Sequence, residues 1–119
     1  MSRTYQRNWA YSKRLLKARE NDMIRLVIHA PTPEALERGR RNLANLLKAE
    51  PDAQVELVAN AGAVVAALKN PHESDSHLHL CRNSLQANDL QAPENIAVVA
   101  AAVLHIAQRQ HDGWAYLRA

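Results

Sequence analysis

Cysteine and glycine are scarce in this chain, and their scarcity excludes several kinds of protein. The 119 residues include one cysteine, Cys81, so no disulfide can form within the chain and the fold must depend on packing, which suits a reducing compartment. Only three glycines are present, and neither a GxGxxG pattern nor a P-loop occurs. We therefore expect no nucleotide-dependent enzyme and no cofactor.

Long apolar runs are also missing. No stretch reaches the roughly 20 apolar residues that a membrane helix requires. The first residues lack the continuous apolar section of a signal peptide. A chain of this length is expected to fold around one core, and we predict a cytoplasmic protein with no membrane association.

Positive charge is concentrated at the start of the sequence. Residues 1–22 have a formal charge of +4, whereas residues 23–119 have −1. The same segment contains Tyr5, Trp9 and Tyr11, and we treat it as a basic, aromatic-containing arm appended to a domain at residues 23–119. No nucleic-acid-binding motif accompanies the charge, so nucleic acid is not the expected partner. The arm is expected to pack on its own or a neighbouring subunit.

Beyond the arm, short runs rich in Val, Ile and Leu alternate with helix-forming segments. The runs predict five strands, at residues 24–28, 54–59, 77–80, 96–99 and 114–118. The first helix has a start signal in Thr32, Pro33 and Glu34, and it should end before Pro51. Its pattern of apolar residues predicts that Arg40 faces solvent. This alternation predicts an α/β fold, a three-layer α/β/α sandwich around a mostly parallel five-stranded sheet.

The ends of the predicted strands bear the candidate functional residues. In such sheets ligands bind beyond the carboxyl ends of the strands. These ends place Cys81 after the third strand, with His29 and Asn60 after the first and second. Asn83 and Ser84 stand in the helix after Cys81, whose end is predicted at a left-handed Asn88. Backbone N–H groups at this junction favour the thiolate, which is the reactive form of cysteine.

Two histidines near Cys81 allow a different interpretation. His77, His79 and Cys81 alternate, so on a strand they would share one face. Imidazole and thiolate are suitable ligands for zinc or copper. A complete site needs a further ligand from elsewhere, and histidines at a surface or subunit interface are the more common explanation. Separately, a protonated His79 or His29 close to the sulfur would favour the Cys81 thiolate, and both are candidate supporting residues.

Four segments together resemble the DsrE/DsrF-like sulfur-metabolism family. They are residues 24–29 (IRLVIH), 58–62 (VANAG), 80–85 (LCRNSL) and 111–117 (HDGWAYL), and they occur in the family's order. The C-x-N-[ST]-[LM] and G-[YW]-A-Y-[IL] patterns are the most informative. The resemblance covers about residues 23–119, departs from the family's pattern at residues 69–76, and has Asn88 where glycine is common.

The resemblance implies a compact α/β fold that assembles into trimers or hexamers. In the sulfur-relay members, a cysteine matching Cys81 accepts sulfur as a persulfide from a donor protein and passes it to an acceptor. Other members have no established activity, so whether this chain is an enzyme stays open. The remaining alternative is a non-catalytic oligomeric interaction protein, for which the aliphatic residues near the last helix would form the shared surface: Val98, Val99, Val103, Leu104 and Ile106.

Overall fold

A computed structural model describes residues 23–119, and the predicted basic arm lies outside the described residues. Five strands, four α-helices and one 3-10 helix follow one another along this part of the chain. In chain order they are β1 (Arg25–Ala30), α1 (Pro33–Ala49), β2 (Gln54–Ala59), α2 (Gly62–Lys69), the 3-10 helix (Glu73–His77), β3 (Leu78–Cys81), α3 (Arg82–Ala87), β4 (Ala97–Val99), α4 (Ala102–His111) and β5 (Ala115–Arg118). None of the described helices is long and apolar enough to cross a membrane.

The strands form one parallel sheet in the order β4-β3-β2-β1-β5. From β1 the chain adds strands in one direction as far as β4, and α4 then returns it across the sheet so that β5 pairs with β1. The carboxyl ends of all five strands therefore lie at the same edge. The predicted α/β fold class is confirmed, and the sheet is parallel throughout.

Two apolar clusters cover the two faces of the sheet. The larger packs α1 and α2 against side chains that include Ile28, Leu57 and Leu80. The smaller lies beneath α4 and contains Val27, Val58, Cys81, Ala102 and Ile106. Within residues 23–119 only α4 packs on this second face, and polar side chains of the sheet lie close to solvent there.

The first helix begins where its sequence signals predict. The Thr32 hydroxyl accepts the N–H of Ala35 at 3.0 Å, and Pro33 occupies the first helical position, where no N–H is needed. The helix ends at Ala49, two residues before Pro51. These bounds confirm the prediction because both signals act through neighbouring residues.

The segment before β3 is also helical, and it changes the environment of Arg40. His72 caps the 3-10 helix, with its Nδ1 accepting the N–H of Ser74 at 3.0 Å and its own N–H donated to Asp75 at 3.1 Å. Asp75 in turn accepts a 3.3 Å hydrogen bond from Arg40, which is only 8% exposed. The predicted solvent-facing position of Arg40 is wrong, because this buried carboxylate draws the guanidinium inward.

The turn after α3 has its left-handed residue one position later than predicted. Asn88 has φ −105°, whereas Asp89 has φ 54°. Asn88 instead donates its side-chain amide to the Ser84 carbonyl at 2.8 Å and thereby caps the end of α3. Aspartate is among the few residues other than glycine that tolerate positive φ, so the turn closes without a glycine.

Candidate active site at the carboxyl edge of the sheet

Cys81 is the last residue of β3 and directly precedes α3. It is 5% exposed and packs with Val27, Val58, Ala102 and Ile106. The thiol therefore lies under the first turn of α4, close to the edge of the sheet where the chain leaves its strands.

Several hydrogen-bond donors surround the Cys81 thiol. Burial alone would raise its pKa, but the backbone N–H groups of Ser84, Ala102 and Asn83, together with the Ser84 hydroxyl, lower the pKa to below its ordinary value. Ala102 begins α4, whereas Asn83 and Ser84 belong to the first turn of α3. The starts of two helices thus supply N–H groups with no intrahelical acceptor to the same sulfur. A thiolate is favoured at this position despite its burial.

Ser84 links the thiol to the neighbouring strand connection. Its hydroxyl oxygen accepts the N–H of Ala61 at 2.8 Å, which leaves the hydroxyl proton free to be donated to Cys81. Ala61 has φ 50° and ψ −133°, a conformation that costs an alanine free energy. The hydrogen bond to Ser84 holds this strained residue in place, so the connection between β2 and α2 is ordered together with the thiol.

A second polar group lies at the same edge and contains His29, Asn60 and Tyr116. The His29 Nε2–H donates to Oδ1 of Asn60 at 2.9 Å. Its Nδ1 is therefore unprotonated in the neutral ring and accepts the Tyr116 hydroxyl proton at 3.2 Å. These two bonds fix both the orientation and the tautomer of the imidazole.

A pocket of about 280 Å³ separates this polar group from the start of α4. Its polar wall comprises His29, Asn60, Tyr116 and Gln110, and its apolar wall consists of α4 residues that include Ala102 and Ile106. These last two residues also pack on Cys81. The predicted site residues therefore form two adjacent groups, one around the thiol with Asn83 and Ser84, and one around His29 with Asn60.

Sequence reasoning missed Ala102 and Tyr116. Ala102 acts through its backbone N–H, which no side-chain pattern reveals. Tyr116 lies within the G-[YW]-A-Y-[IL] segment and stands on β5, which pairs with β1 beside His29. The pairing of β5 with β1 brings Tyr116 close to His29, so Tyr116 could have been identified once the strand order was known.

The predicted alternation of His77, His79 and Cys81 on one strand face holds for His79 and Cys81, which both face α4, and is wrong for His77. His77 ends the 3-10 helix, and its Nδ1–H donates to the Val55 carbonyl at 3.1 Å. His79 does lie on β3, where its Nδ1–H donates to the His77 carbonyl at 3.1 Å. Because β3 starts one residue later than predicted, the three side chains are not brought together, and the HxHxC metal site is not formed.

His79 instead belongs to a charged cluster around Glu56 of β2. Arg109 binds both Glu56 carboxylate oxygens, from Nε at 2.9 Å and from Nη2 at 2.8 Å, and the His105 Nε2–H donates to the same carboxylate at 2.7 Å. Burial alone would raise the pKa of Glu56, but the bonds from Arg109 and His105 lower it to about 2. His79 stacks on His105 with ring centroids 5.3 Å apart, and burial lowers its pKa. Within this cluster, His79 precedes Cys81 by two residues on β3.

Comparisons with known proteins bear on the fold. No family model matches the chain, and no curated protein matches it. A solved structure of MTH1491 from Methanobacterium thermoautotrophicum, described as a protein of unknown function, is similar, with 26% identity and a TM-score of 0.67 over 81% of this chain and 99% of that one. The likeness supports the α/β fold. The resemblance to the DsrE/DsrF-like family stays a prediction.

Proposed function

We propose that the protein is a DsrE/DsrF-like sulfur carrier of the cytoplasm that holds a persulfide on Cys81. The observation that carries this proposal is the set of N–H donors from two helix starts around the single thiol. A thiolate is the nucleophile in sulfur exchange, and a lowered pKa increases its population near neutral pH. A reducing compartment keeps such a thiol free.

The proposed reaction is an exchange of sulfur–sulfur bonds. The Cys81 thiolate attacks the outer sulfur of a donor persulfide, R–S–SH. A bond forms between the two sulfurs as the donor's own sulfur–sulfur bond breaks, and the donor leaves as the thiolate RS⁻. The product is Cys81–S–SH, and the reaction has no net oxidation or reduction.

The chain's composition determines how the sulfur leaves. Since Cys81 is the only cysteine, the outer sulfur cannot be released by formation of an internal disulfide. An external acceptor thiolate must attack it, with Cys81 as the leaving group. The same N–H donors stabilise this departing thiolate, so they assist both loading and transfer. Sulfur-donor and sulfur-acceptor proteins are therefore the proposed partners.

Intact-mass measurement after incubation with glutathione persulfide tests the proposal. The wild-type chain should gain one sulfur, about 32 Da, while Cys81→Ser should gain none. Alkylation of the protein with iodoacetamide before incubation should block the gain. Treatment of the loaded, unalkylated protein with dithiothreitol should release the added sulfur as hydrogen sulfide.

A matched pair of variants separates the N–H donors from nonspecific thiol chemistry. Ser84→Ala removes a hydroxyl donor and should slow loading at neutral pH, whereas Asn83→Ala keeps its backbone N–H and should load as the wild type does. If a folded wild-type protein stays unmodified while free cysteine is converted under the same conditions, Cys81 is not a sulfur carrier.

Self-association is a second candidate role, and exposed apolar side chains favour it. Val103 and Leu104 at the start of α4 are 78% and 52% exposed, and Tyr116 and Leu117 on β5 are 41% and 38% exposed. We propose a homo-oligomer, a trimer or hexamer as the family resemblance implies, in which these residues are covered. Of the predicted aliphatic surface, Ile106 is buried within the subunit and cannot contribute to it. A scaffold with an inert thiol would show this assembly without sulfur loading.

A further inference from the structure

Three side chains able to bind a metal meet between the sheet and α4. Glu56 comes from β2, His79 from β3 and His105 from α4, and one ligand atom of each lies within 4.8 Å of the others. Their side chains are 12%, 19% and 15% exposed, so the cluster is shielded but reachable from solvent. None of these residues belongs to the proposed persulfide site.

The imidazole of His79 is oriented as a ligand. Its Nδ1–H donates to the His77 carbonyl at 3.1 Å, which leaves the Nε2 of the neutral ring unprotonated. That Nε2 faces Oε2 of Glu56 at 3.6 Å, so two lone-pair-bearing atoms oppose each other without a proton between them. A backbone carbonyl that fixes the far nitrogen is the usual outer partner of a metal-binding histidine.

With respect to residues 23–119, the Glu56 carboxylate retains one free binding position. A carboxylate has about four lone-pair positions. Arg109 occupies one on each oxygen, and the His105 Nε2–H occupies a second one on Oε1. The remaining position, on Oε2, lies on the side of His79. The unfilled space thus lies between an anionic oxygen and an imidazole lone pair, which is where a cation would be stabilised.

We propose that Glu56, His79 and His105 bind a divalent transition-metal ion, and that Arg109 is the cation that neutralises Glu56 when the metal is absent. Two imidazoles and one carboxylate form a ligand set that zinc uses in proteins, with a fourth position left to water. On binding, His105 releases its Nε2 proton to water and takes up a proton from water at Nδ1, so the ring stays neutral and Nε2 can coordinate the ion.

Arg109 must move when the ion binds, because a divalent cation and a guanidinium repel each other across the shared carboxylate. The side chain is 31% exposed, so it can swing towards solvent. The carboxylate of Asp112, three residues further along the chain, already attracts the Arg109 guanidinium and offers it a new partner. Arg109 also lies 4.8 Å above the Trp114 ring, so its movement changes the environment of an indole.

Metal content of the full chain tests the site. After treatment with EDTA, the protein is dialysed against zinc or cobalt(II) and its bound metal is measured. We expect one ion per wild-type chain and at least about tenfold weaker binding for Glu56→Gln and His79→Gln. Arg109→Gln should bind at least about tenfold more tightly, since it removes the competing cation.

Controls separate this cluster from other ligands. Cys81→Ser and His111→Gln should bind as the wild type does, because neither residue belongs to the cluster, and the cobalt spectrum should lack a thiolate charge-transfer band. In a Trp9→Phe background, metal should change Trp114 emission, and Glu56→Gln should abolish that change.

Three outcomes would overturn the proposal. One is the absence of bound metal in both the wild type and Arg109→Gln. Another is the loss of binding in Cys81→Ser, which would assign the ion to the thiol. The third is unchanged affinity in a folded His79→Gln. If Glu56→Gln fails to fold, as judged by circular dichroism, the His79→Gln and Arg109→Gln variants decide the question, since both keep the buried carboxylate.

Discussion

The Cys81 sulfur experiences two opposing effects at the residue scale. Its apolar neighbours Val27 and Val58 disfavour a charge, while the N–H groups at the starts of α3 and α4 favour one. The donors prevail, and the pKa lies below its ordinary value. Because Cys81 is only 5% exposed, small reagents should reach its sulfur more readily than bulky ones.

Ser84→Ala should raise the pKa of Cys81. The variant removes the hydroxyl that donates to the sulfur and leaves the backbone N–H groups in place. The measurement is the pH dependence of the iodoacetamide reaction rate, whose midpoint should move to higher pH than in the wild type. Asn83→Ala, which changes only a side chain, should keep the wild-type midpoint. An identical midpoint in Ser84→Ala would mean that the hydroxyl does not contact the sulfur.

Glu56 makes stability depend on pH. Its folded-state pKa is about 2 against an ordinary 4.5, so the folded state stabilises the ionised carboxylate. The contribution is fully present above pH 4.5 and is lost as the pH falls to about 2. Its size is roughly 1 to 3 kcal/mol. Urea unfolding between these two pH values, with EDTA present, should show this loss in the wild type.

The matched variant for this prediction is Glu56→Gln. It should be less stable at neutral pH because Arg109 loses its charged partner, and its stability should change less between pH 4.5 and 2. A variant with the same acid sensitivity as the wild type would assign that sensitivity to other carboxylates.

At the scale of elements, the approach of α1 to the sheet depends on Gly39. A Cβ atom there would lie 2.7 Å from Cδ1 of Leu57 and 3.4 Å from Cγ2 of Ile28. Both side chains are fully buried, so neither can move aside freely. The glycine therefore permits close packing of a helix whose interior would otherwise favour alanine.

Gly39→Ala should destabilise the fold. Overpacking costs about 1 to 3 kcal/mol, and the better helix propensity of alanine returns at most about 1. Asn45→Ala is the matched control, since Asn45 is exposed on the same helix and its replacement should change stability by less than about 0.5 kcal/mol. Chemical unfolding of both variants measures the difference. Gly39→Ala with wild-type stability would show that Leu57 can repack.

Elements set by local signals could be predicted, whereas contacts between layers could not. Thr32 and Pro51 fixed the bounds of α1 because capping and proline sterics act between neighbours. The 3-10 helix is capped by the Nδ1 atom of His72, which accepts a backbone N–H. Histidine is not one of the residues that signal a helix start, so this cap could not be predicted. Arg109 and His105 meet Glu56 across 53 and 49 residues, and only the return of α4 over the sheet brings them together. The thiol was predicted just after the third strand and is in fact the last residue of β3. The N–H donor that α4 contributes to it could not be predicted, because it too depends on the return of α4 over the sheet.

At the scale of the whole molecule, the two faces of the sheet differ in how they are covered. Side chains of α1, α2 and α3 bury one face, whereas in the described part of the chain α4 alone covers the other, where the thiol and the Glu56 cluster lie. All of β5 is exposed, and β5 lies at the edge of the sheet next to β1. An exposed edge strand beside exposed aliphatic side chains is a surface that another subunit can cover.

Val103→Glu should reduce self-association. Val103 is 78% exposed and also lines the pocket beside His29 and Tyr116, so a neighbouring subunit seated here would cover that pocket. Light scattering coupled to size exclusion should give a wild-type mass that is a multiple of 13.3 kDa and a lower mass for the variant, because a carboxylate would be desolvated at the contact. Gln108→Glu adds the same charge at another exposed α4 position and should leave the mass unchanged. A monomeric wild type at every concentration, or an unaltered mass for Val103→Glu, would show that this surface is not the contact.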